Sequence, residues 1–431
     1  MRFTLAAARP EEKGISVESA RAGTKIDTRE ELINALQEAI QIEHGLMIQY
    51  LFASLSCKRR VDEGLTEAEL ELVRQWEGRI LRVARDEMAH LATACNLITA
   101  IGGSPDFNRP NFPQAKHRWF PFGFHLERLG SDSLARFVRA ESPKPAIMML
   151  ESIAPDPIEF DFVGELYGLI NDGFHALCDD PRTGKLDPNR EAALFIGRPE
   201  SQDSSDWTGN LAVMPISSRD SAEAAIKFIV QQGEGTADGR VGSHFDIFST
   251  ITTQFQNAVN ANPNFAASRN VLKNPLTRVH RDADVGFNLI DPATVAHPLA
   301  ELFNHVYASV LLLLMQFFDP AGETTAQRET ARDTARRAMS GLVRPLAEML
   351  TELPATADPK GPTAGPPFEL YGVLKIPANP RARFAIISER FAAAGGEARQ
   401  LMKLHEPGLA RLAFLARNFD LATGMLAAQS G

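Results

Sequence analysis

Cysteine is scarce in this sequence, and the three that occur stand far apart. They are Cys57, Cys95 and Cys178, and no two of them form a CxxC pair or a disulfide ladder. This pattern suits a reducing compartment. All three fall within or at the ends of predicted helices, so we expect them to be buried as small apolar side chains.

Surplus positive charge and long apolar runs are also missing. The chain has 45 basic and 54 acidic side chains, a formal charge of −9, which argues against a general nucleic-acid binder because such proteins need a concentrated basic surface. The N-terminal apolar stretch is too short for a signal peptide, and the longest apolar run, 306–318, is too short and too polar for a membrane span. No sequence motif indicates haem, flavin or nucleotide binding. We therefore expect a cytoplasmic protein that contacts neither nucleic acid nor membrane.

Helical periodicity dominates from about Thr28 onward and predicts an all-α protein. A capping box formed by Thr66 and Glu69 marks the start of the second helix. The predicted order along the chain is two helices, then a long proline-rich connection, then two more helices. The connection contains one short helix at 131–139. The four main helices are predicted at 27–58, 66–101, 159–179 and 221–260, the last with a break at 233–243. Helix pairs joined by one long crossover form a four-helix bundle.

A second helical unit follows a loop-rich stretch at about 262–293. It is predicted to contain helices near 295–318, 323–351, 379–405 and 408–428, with Asn379 and Pro380 as the N-cap and first residue of the third. We therefore divide the chain into a bundle, 1–265, and a C-terminal helical region, 266–431, that packs on the bundle.

The second helix has two polar side chains where a bundle needs apolar ones. Its inward stripe alternates spacings of three and four residues along Val73, Trp76, Ile80, Val83, Glu87, His90, Ala94, Leu97 and Ile101. A buried carboxylate without a partner is costly, so it normally pairs or binds a metal. Glu87 and His90 project from one face, which suits chelation of a single ion.

Each of the other three main helices offers one glutamate on its apolar stripe, namely Glu43, Glu165 and Glu234. A single glutamate on such a stripe is commonly at a helix end or reaches to solvent. Four inward carboxylates, however, would repel one another at low dielectric unless cations lay between them. The set therefore predicts two divalent metal ions.

The sequence around these residues resembles a known family. The segments IEHGLMIQYLFA, RDEMAHL, FVGELYGLI, and IVQQGEGT followed by SHFDIF are similar to the ferritin-like, iminophenyl-pyruvate dimer synthase-like family. This family includes the ferritin-like region of the violacein and rebeccamycin pathway enzymes that couple two indole-pyruvate imines. The resemblance covers about 30–260, and LFNHVYASVLLLLMQFF and GPTAGPPFE resemble the companion C-terminal region. It implies a ferritin-like four-helix bundle.

Carried over to this sequence, the resemblance implies six metal ligands: Glu43, Glu87, His90, Glu165, Glu234 and His244. The last departs from the usual ferritin pattern, because the residue three after Glu234 is Ala237 and the next histidine is His244. A loop inserted after Glu234 could return His244 to the site. Alternatively, His244 caps or packs structurally and one ion has an open, water-filled position.

We assign the first three ligands, Glu43, Glu87 and His90, to one ion and the other three to the second, with Glu87 and Glu234 as bridges. His44 points about 100° away from Glu43 around the helix, which indicates a role outside the ligand shell or at the surface. Tyr50, two turns beyond Glu43, either lines the site or is an ordinary core residue.

Carboxylates with one or two imidazoles suit iron, with manganese as the alternative. We therefore expect an oxygen-activating di-iron oxidoreductase whose catalytic residues are Glu43, Glu87, His90, Glu165 and Glu234. The resemblance implies that its substrates are O2 and an amino acid or amino-acid-derived imine of natural-product metabolism. Oxidation, coupling, hydroxylation and C–C cleavage remain open, as does homo-oligomer formation. The alternatives are a metal-binding or storage protein and a structural scaffold, both without an organic substrate.

Overall fold

The computed structural model describes residues 25–114, 123–142, 163–204, 213–233, 242–279, 288–358 and 360–430. Within these ranges the regular structure is helical, and β-structure is limited to isolated bridges. The all-α prediction is therefore confirmed. The α-helices are α1 Arg29–Leu55, α2 Glu67–Ala100, α3 Ser131–Ala140, α4 Val163–Cys178, α5 Pro188–Leu194, α6 Arg219–Gly233, α7 His244–Ala261, α8 Ala296–Phe318, α9 Thr325–Ala338, α10 Arg344–Leu350, α11 Pro380–Met402 and α12 Leu412–Ala427.

Threonine caps fix where the first two helices begin. Thr28 and Thr66 each accept a hydrogen bond from a backbone N–H of the first turn, and the carboxylates of Glu31 and Glu69 accept from the two threonine N–H groups in return. The capping box predicted for Thr66 is present. These caps satisfy N–H groups that have no partner within the helix.

Four helical segments form a closed ring. Helix α1 packs on α2 and α4, and α6 packs on the same two helices, so each helix of the ring has two neighbours. Helix α7 continues after α6 and packs on α2 and α3. The fourth position of the bundle is thus occupied by two successive segments, α6 and α7. This arrangement confirms the predicted four-helix bundle with a long crossover.

The predicted inward stripes of α1 and α2 are buried throughout. Every residue of the α2 stripe from Val73 to Ile101 is 2% exposed or less, including Glu87 and His90. The stripe of α1, which includes Glu43 and Tyr50, is equally buried. The polar members of these stripes therefore lie inside the bundle. Cys57, Cys95 and Cys178 are also buried free thiols, as expected.

The stripe predicted for the third main helix is one residue out of register in its described part. The buried residues of α4 include Leu166, Ile170 and Phe174, whereas Glu165 and Leu169 are half-buried beside that stripe. Spacing identifies a stripe only over several turns, and two of the four residues of the predicted stripe, Ile158 and Phe162, lie outside the described residues.

The crossover between α2 and α4 is attached to the C-terminal region. Arg109 donates hydrogen bonds to the Phe368 carbonyl oxygen at 2.6 Å and to the Tyr307 hydroxyl at 3.0 Å. The side chain of Asn111 bonds both the carbonyl oxygen and the N–H of Leu370. Backbone groups of Phe368 and Leu370 in the C-terminal region are thereby satisfied by side chains of the crossover.

In the C-terminal region, α8 contacts α2, α9, α10 and α11, and α12 packs on α9 and α11. The helix predicted at 323–351 is divided into α9, a π-helical segment Met339–Val343, and α10.

Helix α8 is longer than the apolar run that the sequence indicated. By length and composition alone its 23 residues could cross a membrane, but 78% of the relevant window is buried inside the structure, as in the core helix of a folded protein. The expectation that the chain makes no membrane contact stays a prediction.

We expect the substitution Thr66→Ala to lower the free energy of unfolding by about 1 kcal/mol, because it removes the N-cap of the helix that carries Glu87 and His90. The shift of the urea unfolding midpoint measures this loss. The exposed mid-helix substitution Arg79→Ala, which touches no cap, is the control and should leave the midpoint nearly unchanged. Equal midpoints for the two variants would contradict the capping role.

Candidate metal centre

Helices α1 and α2 bring one histidine and two carboxylates together inside the bundle. His90 Nδ1 lies 3.2 Å from Glu87 Oε2 and 3.6 Å from Glu43 Oε2. All three side chains are at most 3% exposed. One ligand atom from each lies within 4.8 Å of the others, a spacing that fits a single metal ion.

A second buried cluster shares Glu87 with the first. It consists of Glu87, Glu141 and His244, whose ligand atoms also lie within 4.8 Å of one another. His244 Nδ1 is 3.0 Å from Glu87 Oε1 and 3.5 Å from Glu141 Oε2. One oxygen of Glu87 therefore faces each imidazole, which is how a carboxylate would bridge two ions.

His244 enters this cluster because of where α7 begins. Ser243 is the N-cap of that helix, its hydroxyl accepting from the N–H of Asp246, and His244 is the first helical residue. Both ring nitrogens of His244 are buried, and although carboxylate oxygens of Glu87 and Asp86 lie 3.0 and 3.4 Å away, neither contact has hydrogen-bond geometry. An unsatisfied buried polar group is costly. A metal ion at Nδ1 would remove that cost, so the residues present fit a metal.

Buried tyrosines hold two of the carboxylates. The Tyr167 hydroxyl donates to Glu43 Oε1 at 2.6 Å, and the Tyr50 hydroxyl donates to Glu141 Oε1. Burial and the neighbouring glutamates raise the pKa of both phenols well above the usual value, so both keep their protons and remain donors. Such outer contacts orient metal ligands and tune their basicity.

Polar side chains also face the far nitrogens of both imidazoles. His90 Nε2 lies 2.8 Å from Gln232 Oε1, so an Nε2–H donor leaves Nδ1 free to face Glu87 and Glu43. Asp86 Oδ2 lies 3.4 Å from His244 Nε2. Both histidines therefore present Nδ1 to the shared carboxylate.

The ionisation of the clusters follows from their burial and mutual charge. Burial, and then the charge of Glu87, raises the pKa of Glu43 to about 8. Burial opposes protonation of His90, but the carboxylates of Glu87 and Glu43 outweigh it and raise its pKa to about 10. Burial disfavours the Glu87 carboxylate, but His244 and His90 outweigh it and lower the pKa of Glu87. Protons on these groups balance the negative charge, and metal binding requires them to leave.

The structure brings together four of the six predicted ligands. Glu43, Glu87 and His90 form the first cluster, and His244 joins Glu87 in the second. Glu165 is half-buried in the first turn of α4 and belongs to neither cluster. Glu234 lies outside the described residues. The assignments of Glu165 and Glu234 as ligands stay predictions.

Glu141 is the site residue that the sequence interpretation missed. It is the C-cap of α3, the short crossover helix, and is 5% exposed. Leu134 and Phe137 are buried on the same helix, and the sequence Leu134, Phe137, Glu141 has the spacing of three and four that identified Glu43 and Glu87. The same signal was therefore present, but the short helix predicted at 131–139 ended two residues before Glu141.

The structure also shows where His44 and Tyr50 lie relative to their predicted positions. His44 is buried rather than at the surface, and its Nε2 lies 2.7 Å from the hydroxyl of Tyr307. Burial and the nearby charge of Arg109 lower its pKa well below the usual value, so the ring is neutral and Nε2 accepts a hydrogen bond from the Tyr307 hydroxyl. Tyr50 lies at the site through its bond to Glu141.

Together the fold and the site are those of a ferritin-like protein, and comparison with known families agrees. The family model described as Ferritin-like matches residues 36–253, just over half of the chain. The chain belongs to the Ferritin-like family.

Two curated relatives are named as enzymes. Dichlorochromopyrrolate synthase of Lentzea aerocolonigenes is 30% identical over 438 residues, which cover 93% of this chain and 42% of that protein. The 2-imino-3-(indol-3-yl)propanoate dimerase of Chromobacterium violaceum is 27% identical over 364 residues, covering 80% of this chain and 34% of that protein. The chain thus spans less than half the length of either relative.

A crystal structure of a ferritin-like protein from Caulobacter vibrioides is also similar. It has 19% sequence identity and a TM-score of 0.42, and the match covers 73% of this chain and 96% of that one.

We expect Glu141→Gln to lower the divalent metal content by about one ion per chain, because an amide is a weaker ligand than a carboxylate and the other cluster is left intact. Elemental analysis after anaerobic metal loading and desalting measures this. Glu71→Gln, an exposed change on α2, is the matched control and should retain the wild-type content. Wild-type metal content in Glu141→Gln would exclude Glu141 as a ligand.

Proposed function

We propose that this chain is a di-iron, oxygen-activating oxidoreductase that acts on an amino-acid-derived imine. The observation that carries the proposal is the shared position of Glu87, whose two carboxylate oxygens face the Nδ1 atoms of His90 and His244. A carboxylate placed in this way would hold two ions close together. Manganese remains the alternative metal.

The donor set supports iron or manganese over a softer metal. Three described carboxylates and two imidazoles surround the two positions, and oxygen and imidazole donors suit iron and manganese, whereas thiolates are the ligands of softer metal sites. Glu43, Glu87 and His90 would hold one ion, and Glu87, Glu141 and His244 the other. A pair of Fe(II) ions supplies electrons for the reduction of O2.

The chain's own residues would fix the geometry and manage protons. Gln232 orients His90 through Nε2, and Tyr50 and Tyr167 hold the carboxylates of Glu141 and Glu43 through single hydrogen bonds. Each tyrosine hydroxyl is thus a protonated group that is hydrogen-bonded directly to a carboxylate of the site. The five side chains of the two clusters are themselves buried, at 5% exposure or less.

The relatives' names support the substrate class. One is named as a dimerase of 2-imino-3-(indol-3-yl)propanoate and the other as a synthase of dichlorochromopyrrolate. Joining two such imines by one C–C bond removes one hydrogen atom from each, and one O2 that becomes H2O2 takes up both electrons and both protons. Oxidative coupling is therefore the first reaction to test, ahead of hydroxylation and cleavage.

We expect the Fe(II)-loaded protein to consume O2 when it is given the imine formed from indole-3-pyruvate and ammonium, and to release a coupled product two hydrogen atoms lighter than two imines. An oxygen electrode and mass spectrometry measure both. Glu87→Gln should abolish the reaction because it removes the shared ligand, while Glu71→Gln should react like wild type.

Oxygen consumption without any change in the imine would favour another amino-acid-derived substrate. Binding of many irons per chain with no organic substrate consumed would contradict the proposal and favour a metal store. A protein that binds no iron would favour a scaffold.

A further inference from the structure

A cavity of about 700 Å³ lies on the side of α1 and α2 that faces the C-terminal region. It is bounded by α1 and α2 on one side and by α8, α9, the π-helical segment and α10 on the other. This volume is typical of a small-molecule site. The packing of the bundle on the C-terminal helices therefore leaves room for a ligand.

The interior of the cavity is apolar. Its buried lining includes Leu311, Leu314 and Phe318 of α8. It also includes Phe107 and Phe368, which lie outside that helix. A ligand would gain by removing apolar surface from water here, and a long hydrocarbon or aromatic body would gain most.

The mouth of the cavity is lined by arginines, in a chain whose net charge is −9. Among the residues that the structure describes, six arginines line it and no aspartate or glutamate does: the arginines are Arg59, Arg82, Arg85, Arg336, Arg337 and Arg344.

These arginines differ in whether they already have a partner. Arg59 is paired with Glu77 and Glu348. In contrast, Arg82, Arg85 and Arg337 are exposed, and no carboxylate of the described residues pairs with them. Guanidinium groups left without carboxylates at the rim of an apolar cavity are suited to bind an anionic head group.

The cavity is separate from the candidate metal centre. On α1 it is lined by His44, Met47 and Leu51, whereas Glu43 faces the metal clusters. On α2 it is lined by Met88, whereas Glu87 lies in both clusters. The helix pair α1–α2 therefore stands between the two sites.

We propose that this cavity binds an amphipathic anion: a molecule with a carboxylate or phosphate head group and an elongated apolar body, of the size of a long-chain fatty acid. The head group would lie among Arg82, Arg85 and Arg337, and the chain would lie against the buried phenylalanines and leucines. The site lies beyond the proposed oxidase function and does not depend on it.

The test is direct binding to the metal-loaded full chain, measured by isothermal titration calorimetry and native mass spectrometry. Palmitate and hexadecyl phosphate are the anionic probes and show which head group is preferred, and hexadecanol is the neutral control. Acetate and inorganic phosphate test the head groups alone. We expect one palmitate or hexadecyl phosphate per chain, bound at least about tenfold more tightly than hexadecanol, since a charged hydrogen bond contributes roughly that factor.

The double substitution Arg82→Glu with Arg85→Glu should weaken binding of the anionic amphiphile by about tenfold or more. Arg79→Glu, an exposed charge reversal on the same helix outside the cavity, is the control and should bind like wild type. Val343→Trp, which fills part of the cavity without changing its charge, should also weaken binding. An unchanged far-ultraviolet circular dichroism spectrum and thermal midpoint in each variant report that the helices are intact.

Three outcomes would overturn the proposal. The first is the absence of saturable binding of either anionic amphiphile. The second is equal affinity for hexadecanol. The third is a double variant that binds as tightly as the Arg79→Glu control.

Discussion

The sharing of the Glu87 carboxylate between two buried imidazoles is the constraint on which the rest of the site depends. A buried carboxylate is stable only when its charge is compensated, and here His90 and His244 lie on its two sides at 3.2 and 3.0 Å. Glu43 and Glu141 then complete one cluster each. The outer contacts of Tyr167, Tyr50 and Gln232 fix the side chains that surround this carboxylate.

The fold places these side chains by simple means. Helices α1 and α2 carry Glu43, Glu87 and His90 on continuous inward stripes, which a four-helix bundle requires of every member. The remaining two members of the clusters come from less regular elements: Glu141 ends a short crossover helix, and His244 begins α7. The second cluster thus takes His244 from the helix that begins after the break and Glu141 from the helix within the crossover.

Sequence patterns identified the regular part of this arrangement and missed the irregular part. The stripes of α1 and α2 extend over many turns, so their spacing fixed which residues point inward. On α4 the buried residues Leu166 and Ile170 lie one residue from the predicted stripe, and Glu165 is half-buried beside them. Glu141 was missed because it caps the end of a ten-residue crossover helix. The apolar pattern before it covers few turns, and no helical pattern follows it. Of the two positions predicted for His44, the one outside the ligand clusters agrees with the structure, and the one at the surface is wrong because the C-terminal region covers that face of α1.

The most direct test of the shared carboxylate is a crystal of the protein loaded anaerobically with Fe(II), with data collected on both sides of the iron absorption edge. We expect two anomalous peaks per chain about 3.5–4 Å apart, one on each side of the Glu87 carboxylate, with His90 Nδ1 on one and His244 Nδ1 on the other. A single peak, or two peaks of which neither contacts Glu87, would contradict it.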